Sequence, residues 1–123
     1  MLRIQSVTFD AREPRAIAAF WEQALGWERT YDADDEVALE PSEGDGVEHG
    51  VAGIVFVQTP DDKVVKNRLH LDIRPDDQSA EVARLEALGA RRVDIGQGDV
   101  TWIVLADPDG NEFCILSAER PTE

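Results

Sequence analysis

Two histidines and one cysteine are the side chains of this 123-residue chain best suited to ligate a metal, move a proton near neutral pH or attack an electrophile. His70 lies in K-N-R-L-H-L-D-I, Lys66 to Ile73, where Leu69, Leu71 and Ile73 alternate with Arg68, His70 and Asp72. An alternation of period two puts the polar set on one face of a strand. A neutral imidazole there can hydrogen-bond a ligand or act as general base. The structural alternative is a histidine satisfied by a neighbouring hydroxyl or carboxylate. Cys114 lies in D-P-D-G-N-E-F-C-I-L, Asp107 to Leu116, a turn feeding a strand. Its thiol is either a ligand or a small buried apolar group. Asp107, Asp109 and Asn111 shape that turn through side-chain to backbone bonds. Trp102, on an expected strand, could wall a cleft for a flat organic ligand. His49, in the Gly-rich acidic stretch 43–50, reads as an exposed loop residue. Gly-rich phosphate cradles, Ser-His-Asp ordering and Cys-x-x-Cys pairs are absent from the sequence.

The elements that must position these residues come as a repeat. Q-A-L-G-W-E-R-T-Y, Gln23 to Tyr31, is echoed by E-A-L-G-A-R-R-V-D, Glu86 to Asp94. The spacing predicts a first helix from Pro14, whose missing N–H costs nothing at the first helical position. Ile17, Phe20, Trp21, Ala24 and Leu25 make its apolar stripe, and Gly26 ends it. A second helix follows Pro75-Asp76-Asp77, where a carboxylate can cap free N–H groups. Val82, Leu85 and Leu88 form its stripe and Gly89 closes it. Alternating strands precede both helices, with Val7 and Phe9 against Ser6 and Thr8 in the first. Extended runs follow at about 27–31, 36–40 and 53–58, and again at about 90–95, 100–106 and 112–117. Thr59 to Lys63 reads as the linker.

The predicted fold class is therefore α+β, with two βαβββ modules in tandem, each a curved mixed sheet with one helix. Module 1 spans about 2–60 and module 2 about 64–118 of a single domain. One helix leaves the other face of each sheet uncovered, and two such sheets can curve into a half-open barrel cleft. Ser6 and His70 then become near-symmetry mates, and with Cys114 they are expected to converge on that cleft.

Composition removes other classes. Twenty-six acidic against twelve basic residues give a net charge of −14, which repels nucleic acid phosphates. No apolar run is long enough to span a bilayer, and a lone cysteine gives no internal disulfide. The sequence predicts a cytoplasmic protein with no nucleic acid or membrane partner.

A-A-F-W-E-Q-A-L-G-W, Ala18 to Trp27, together with the two motifs around His70 and Cys114, resembles the vicinal oxygen chelate superfamily, in its glyoxalase-like branch. That superfamily holds glyoxalase I, extradiol dioxygenases, fosfomycin-resistance proteins and bleomycin-binding proteins. The resemblance implies metal ligands on the first and last strands of each module, leaving open positions for two substrate oxygens. Here those positions fall on Ser6, His70 and Cys114, and the last strand of module 1, Gly53 to Gln58, holds no His, Asp, Glu or Cys. A His–Cys pair lacks the third ligand of a catalytic zinc site. The expectation is thus no metal and no other cofactor, with a small organic metabolite or antibiotic bound or transformed in the cleft. Ser6, Arg68, His70, Trp102 and Cys114 are the expected ligand contacts, and His70 is the candidate catalytic base. Any enzymatic activity would be lyase-like or acid–base, not that of ordinary glyoxalase I. A metal-dependent lyase or dioxygenase with atypical ligands is the alternative. The resemblance also implies a homodimer.

Overall fold

Residues 1–42 and 51–118 are described by the computed structural model. The chain divides into two compact units, Met1–Asp62 and Lys63–Glu123. In the first, β1 (Ser6–Ala11) leads to α1 (Pro14–Leu25), then β2 (Glu28–Asp32), β3 (Glu36–Glu40) and β4 (Gly53–Gln58). In the second, β5 (Asp72–Ile73) leads to α2 (Gln78–Leu88), then β6 (Arg91–Arg92), β7 (Ile103–Ala106) and β8 (Glu112–Ile115). The strand–helix–strand–strand–strand unit thus occurs twice, as the sequence predicts.

Each unit has an open four-stranded mixed sheet of one topology, β1-β4-β3-β2 and β5-β8-β7-β6. The first strand pairs parallel with the last, and the remaining pairs are antiparallel. In unit 1, α1 lies against β3 and β4. Ile17, Ala18, Phe20 and Trp21 are buried with Val37, Leu39, Ile54 and Phe56, and Phe9 meets Trp21 and Phe56 edge-on. Pro14 opens the helix. Gly26 ends it with φ of 69°, where its N–H reaches the Glu22 carbonyl at 3.0 Å. That left-handed conformation suits glycine because a Cβ there costs about 1 kcal/mol or more.

In unit 2 the Asp77 side chain accepts from the Ala80 N–H at 3.1 Å, which is the expected cap of α2. Val82 and Leu85 are its buried residues. Gln78 Nε2 donates to the carbonyls of Thr101 and Ile115, tying the helix start to the bend ahead of β7 and to the end of β8.

The strands of unit 2 are shorter than the sequence suggests. Leu69 is 76% exposed, so the alternation around His70 becomes a burial pattern only from Leu71 onward. After β6, side chains take over the backbone donors. Asp94 accepts from the Gly96 N–H and Gln97 from the Ile95 N–H, so a turn replaces the strand. Trp102 lies in a bend ahead of β7 rather than in a strand. The segment before β5 is held by side chains instead of a ladder. Lys63 Nζ donates to both Glu112 oxygens at 2.7 and 2.9 Å, and the Asn67 N–H donates to Glu112 Oε1 at 2.8 Å.

No helix among the described residues is long and apolar enough to cross a membrane. The expectation for His49 falls outside the described residues.

Candidate functional site

The two modules superpose by register. Their helix N-caps, Glu13 and Asp77, stand 64 residues apart, and the same offset relates Ser6 to His70 and Thr8 to Asp72. Thr8 pairs with Val55 in the parallel β1–β4 ladder, and Asp72 pairs with Cys114 in β5–β8. Val55 is therefore the counterpart of Cys114. The register fixes the position that the sequence alone left open, and it is apolar. Where module 2 presents His70, Asp72 and Cys114, module 1 presents Ser6, Thr8 and Val55.

In module 2 the three side chains come together. His70 Nδ1 lies 3.0 Å from Asp72 Oδ1. A ligating atom from each of His70, Asp72 and Cys114 lies within 4.8 Å of the others. The β5–β8 ladder produces this arrangement. The Cys114 N–H donates to the Leu71 carbonyl and the Leu116 N–H to the Ile73 carbonyl, setting Asp72 beside Cys114. Phe113 and Ile115 are buried, and alternation sends Cys114 to the other face of β8.

The cluster is unevenly exposed to solvent. The His70 and Asp72 side chains are 38% and 52% exposed, while Cys114 is 6% exposed. Burial pushes the Cys114 thiol up to about 11, and the Asp72 charge and its acceptance of the thiol proton push the same way, against a smaller pull from Lys66. At pH 7 only about one thiol in ten thousand is then ionised, so Cys114 alone is a poor nucleophile. Iodoacetamide is expected to label the native protein far more slowly than the unfolded chain at pH 8, read by intact mass. Because the folded value lies above the unfolded one, the stabilisation is complete below about pH 8.5 and is lost as pH rises through about 11.

Of the residues singled out in the sequence, the structure brings His70 and Cys114 together. Arg68 lies in an exposed bend two residues before His70, and Trp102 is 39% exposed ahead of β7. Ser6 belongs to the other unit, at the start of β1. Sequence reasoning passed over Asp72 as a functional residue. The signal was available, since Asp72 follows His70 by two positions and shares its face.

The superfamily metal centre draws donors from the first and last strands of both modules. Ser6 is a weak donor and Val55 is none, so module 1 does not fit its half of such a centre.

A family model described as a glyoxalase-like domain matches residues 6–116. No curated protein sequence matches the chain. Among solved structures, a glyoxalase/bleomycin resistance protein/dioxygenase family enzyme from Burkholderia phytofirmans is 19% identical. The match covers 94% of this chain and 98% of that one, with a TM-score of 0.68. A fosfomycin resistance protein from Mesorhizobium loti is 16% identical over 98% of this chain and 94% of its own, at 0.68. The bleomycin-binding protein of Streptomyces verticillus, solved with copper(II)-bleomycin, is 17% identical over 97% and 100%, at 0.60. At these identities the likeness is one of fold.

Proposed function

Because the chain belongs to the glyoxalase-like domain family, we propose that it binds a small organic metabolite or antibiotic without the divalent metal centre of the superfamily. The observation that carries this reading is the unequal pair of modules. Module 2 has a polar cluster at His70, Asp72 and Cys114, while its counterpart in module 1 is Ser6, Thr8 and Val55. Asp72 accepts the Nδ1 proton of His70, which leaves Nε2 as the acceptor for a ligand hydroxyl or an acidic C–H. In that role His70 is the base or anchor and Asp72 holds its tautomer. Arg68, two residues before His70, is the proposed cationic contact and Trp102 the proposed aromatic face, and Ser6 is a further proposed contact tested by its own alanine variant. The neighbours named for bleomycin and fosfomycin make those antibiotics the first probes.

Calorimetric titration of metal-stripped protein with bleomycin, fosfomycin and related small acids tests this. His70→Ala is expected to weaken binding of whichever probe binds by about 2–10-fold, the worth of one neutral hydrogen bond, with an unchanged circular dichroism spectrum. Binding that needs restored metal would refute it and favour a metal-dependent lyase or dioxygenase, the second reading, for which the third donor Asp72 beside His70 and Cys114 is the supporting observation. Turnover of the methylglyoxal–glutathione adduct is expected to be absent.

The proposal extends to assembly and location. Val64, Val65 and Leu69 are exposed apolar side chains, and β1 and β5 are edge strands, both features that pairing with a second copy would cover. We expect a homodimer by light scattering; a monomer mass across a wide concentration range would reject it. A lone free thiol suits the reducing cytoplasm.

A further inference from the structure

We propose that residues 63–69 form a strap, latched by Glu112, that opens as a unit and gates access to the Cys114 side of the candidate site. As regulation of a ligand site this rests on the reading above; the opening itself is measured without a ligand.

What holds the strap is the first argument. Residues 59–71 form neither helix nor strand. The bonds of the segment converge instead on two adjacent side chains, Asn111 and Glu112. Lys63 Nζ donates to both Glu112 oxygens at 2.9 and 2.7 Å, and the Asn67 N–H donates to Glu112 Oε1 at 2.8 Å. Asn67 Nδ2 donates to Asn111 Oδ1 at 3.1 Å. The Lys63 stem lies over Gly110, where an added Cβ would stand 3.4 Å from its Cγ. Packing adds little, because Val64, Val65 and Leu69 are all exposed. A segment anchored chiefly at one carboxylate is free when that anchor lets go.

Placement beside the site is the second argument. Glu112 and Cys114 stand two residues apart in β8 and so share a face, opposite Phe113 and Ile115. Burial acts upward on both the Glu112 carboxyl and the Cys114 thiol, and the Lys66 charge acts downward on both. One ammonium that reaches both groups lies along their shared face. Asn67 in turn precedes His70 by three residues. The strap therefore lies on the Cys114 side of β8 and runs into His70.

The energetics favour local opening over global unfolding. Truncating Glu112 would strand the Lys63 ammonium, whereas opening the strap returns both charges to water and recovers their hydration. The freed residues also regain backbone entropy. The strap thus belongs to the low-stability end of the structure, from which the elements that gate binding sites are drawn. Latched, it leaves Cys114 buried. Open, it lets a small organic molecule reach the Asp72 and Cys114 face beside His70.

Amide exchange by NMR and alkylation of Cys114 by iodoacetamide, both on the full chain at pH 7.5, test this. In the wild type, Asn67 exchange and Cys114 alkylation should stay nearly flat at low urea while the slowest β7 amides follow global unfolding, because a strap exposes little surface. Lys63→Met removes the latch cation and keeps the stem. It should speed Asn67 exchange and Cys114 alkylation by about tenfold or more, and by a larger factor than β7 exchange. Wild-type alkylation that rises with urea as steeply as β7 exchange would overturn the proposal, since the thiol is then reached only by unfolding. So would a Lys63→Met variant in which Asn67 and β7 exchange quicken equally. Should Lys63→Met fail to fold, the wild-type urea dependence decides alone. No ligand enters these measurements, so their outcome is separate from that of the organic-ligand reading.

Discussion

Glu112→Ala is expected to destabilise the protein by about 3 kcal/mol in urea unfolding at pH 7, the range for removing one partner of a largely buried ion pair. The Glu112 side chain is 9% exposed and that of Lys63 17%. The substitution strands the Lys63 ammonium and also removes the acceptor of the Asn67 N–H. Glu112→Gln keeps that acceptor and is expected to lose less. The pH dependence has a definite sign. Burial by itself would raise the Glu112 carboxyl, but the Lys63 hydrogen bond, the Asn67 N–H and the charges of Lys63 and Lys66 outweigh it and hold it below the ordinary range. Its contribution is therefore complete above the unfolded value of about 4.3 and is lost as pH falls through the lower folded value. The gap between wild type and Glu112→Ala should be constant near neutrality and narrow only below about pH 4. A gap that narrows on the alkaline side instead would show that the ion pair is not its source. The consequence for the site is local, because Glu112 anchors the segment leading to His70 from a position two residues before Cys114.

Asp107→Ala should cost about 2–4 kcal/mol. The side chain is fully buried and accepts from the N–H groups of Asp109 and Asn111 at 3.0 and 2.9 Å. Two part-buried backbone donors lose their acceptor, at about 1–3 kcal/mol each where solvent does not replace it. Asp107→Asn retains one oxygen and should lose less than half as much. Amide exchange should quicken in the β7–β8 hairpin, which carries Cys114, before it quickens in α1 of the other unit. Equal acceleration in both would mean that the turn does not act locally.

The fold was legible because its signals are strong and local. Pro14, Gly26, Asp77 and Gly89 punctuate both helices, and the repeat gave the order of strands. The site was legible in part. Alternation placed His70 and Asp72 on one face, yet Asp72 was weighed only as His70's neighbour and not as a donor. Its importance depends on pairing with Cys114 across 42 residues, which no local pattern reveals. The same non-local register identified Val55 as the missing ligand position. The shortening of β5 and β6 was invisible for a related reason. Side-chain oxygens of Glu112, Asp94 and Gln97 accept hydrogen bonds from distant or turn-forming backbone N–H groups and so compete with strand formation, and composition does not encode which side wins.

The central claim is that module 2 recognises a small organic ligand through His70 with no divalent metal. Nitrogen-15 NMR of the imidazole groups tests it most directly, since the chain has two histidines and His70→Ala assigns them at once. In chelator-treated protein, a binding organic probe should shift the His70 ring signals, and Asp72→Asn should change their tautomeric pattern before any probe is added. Shifts that appear only after a metal is restored, or a bound probe that leaves the His70 signals unmoved, would contradict the claim.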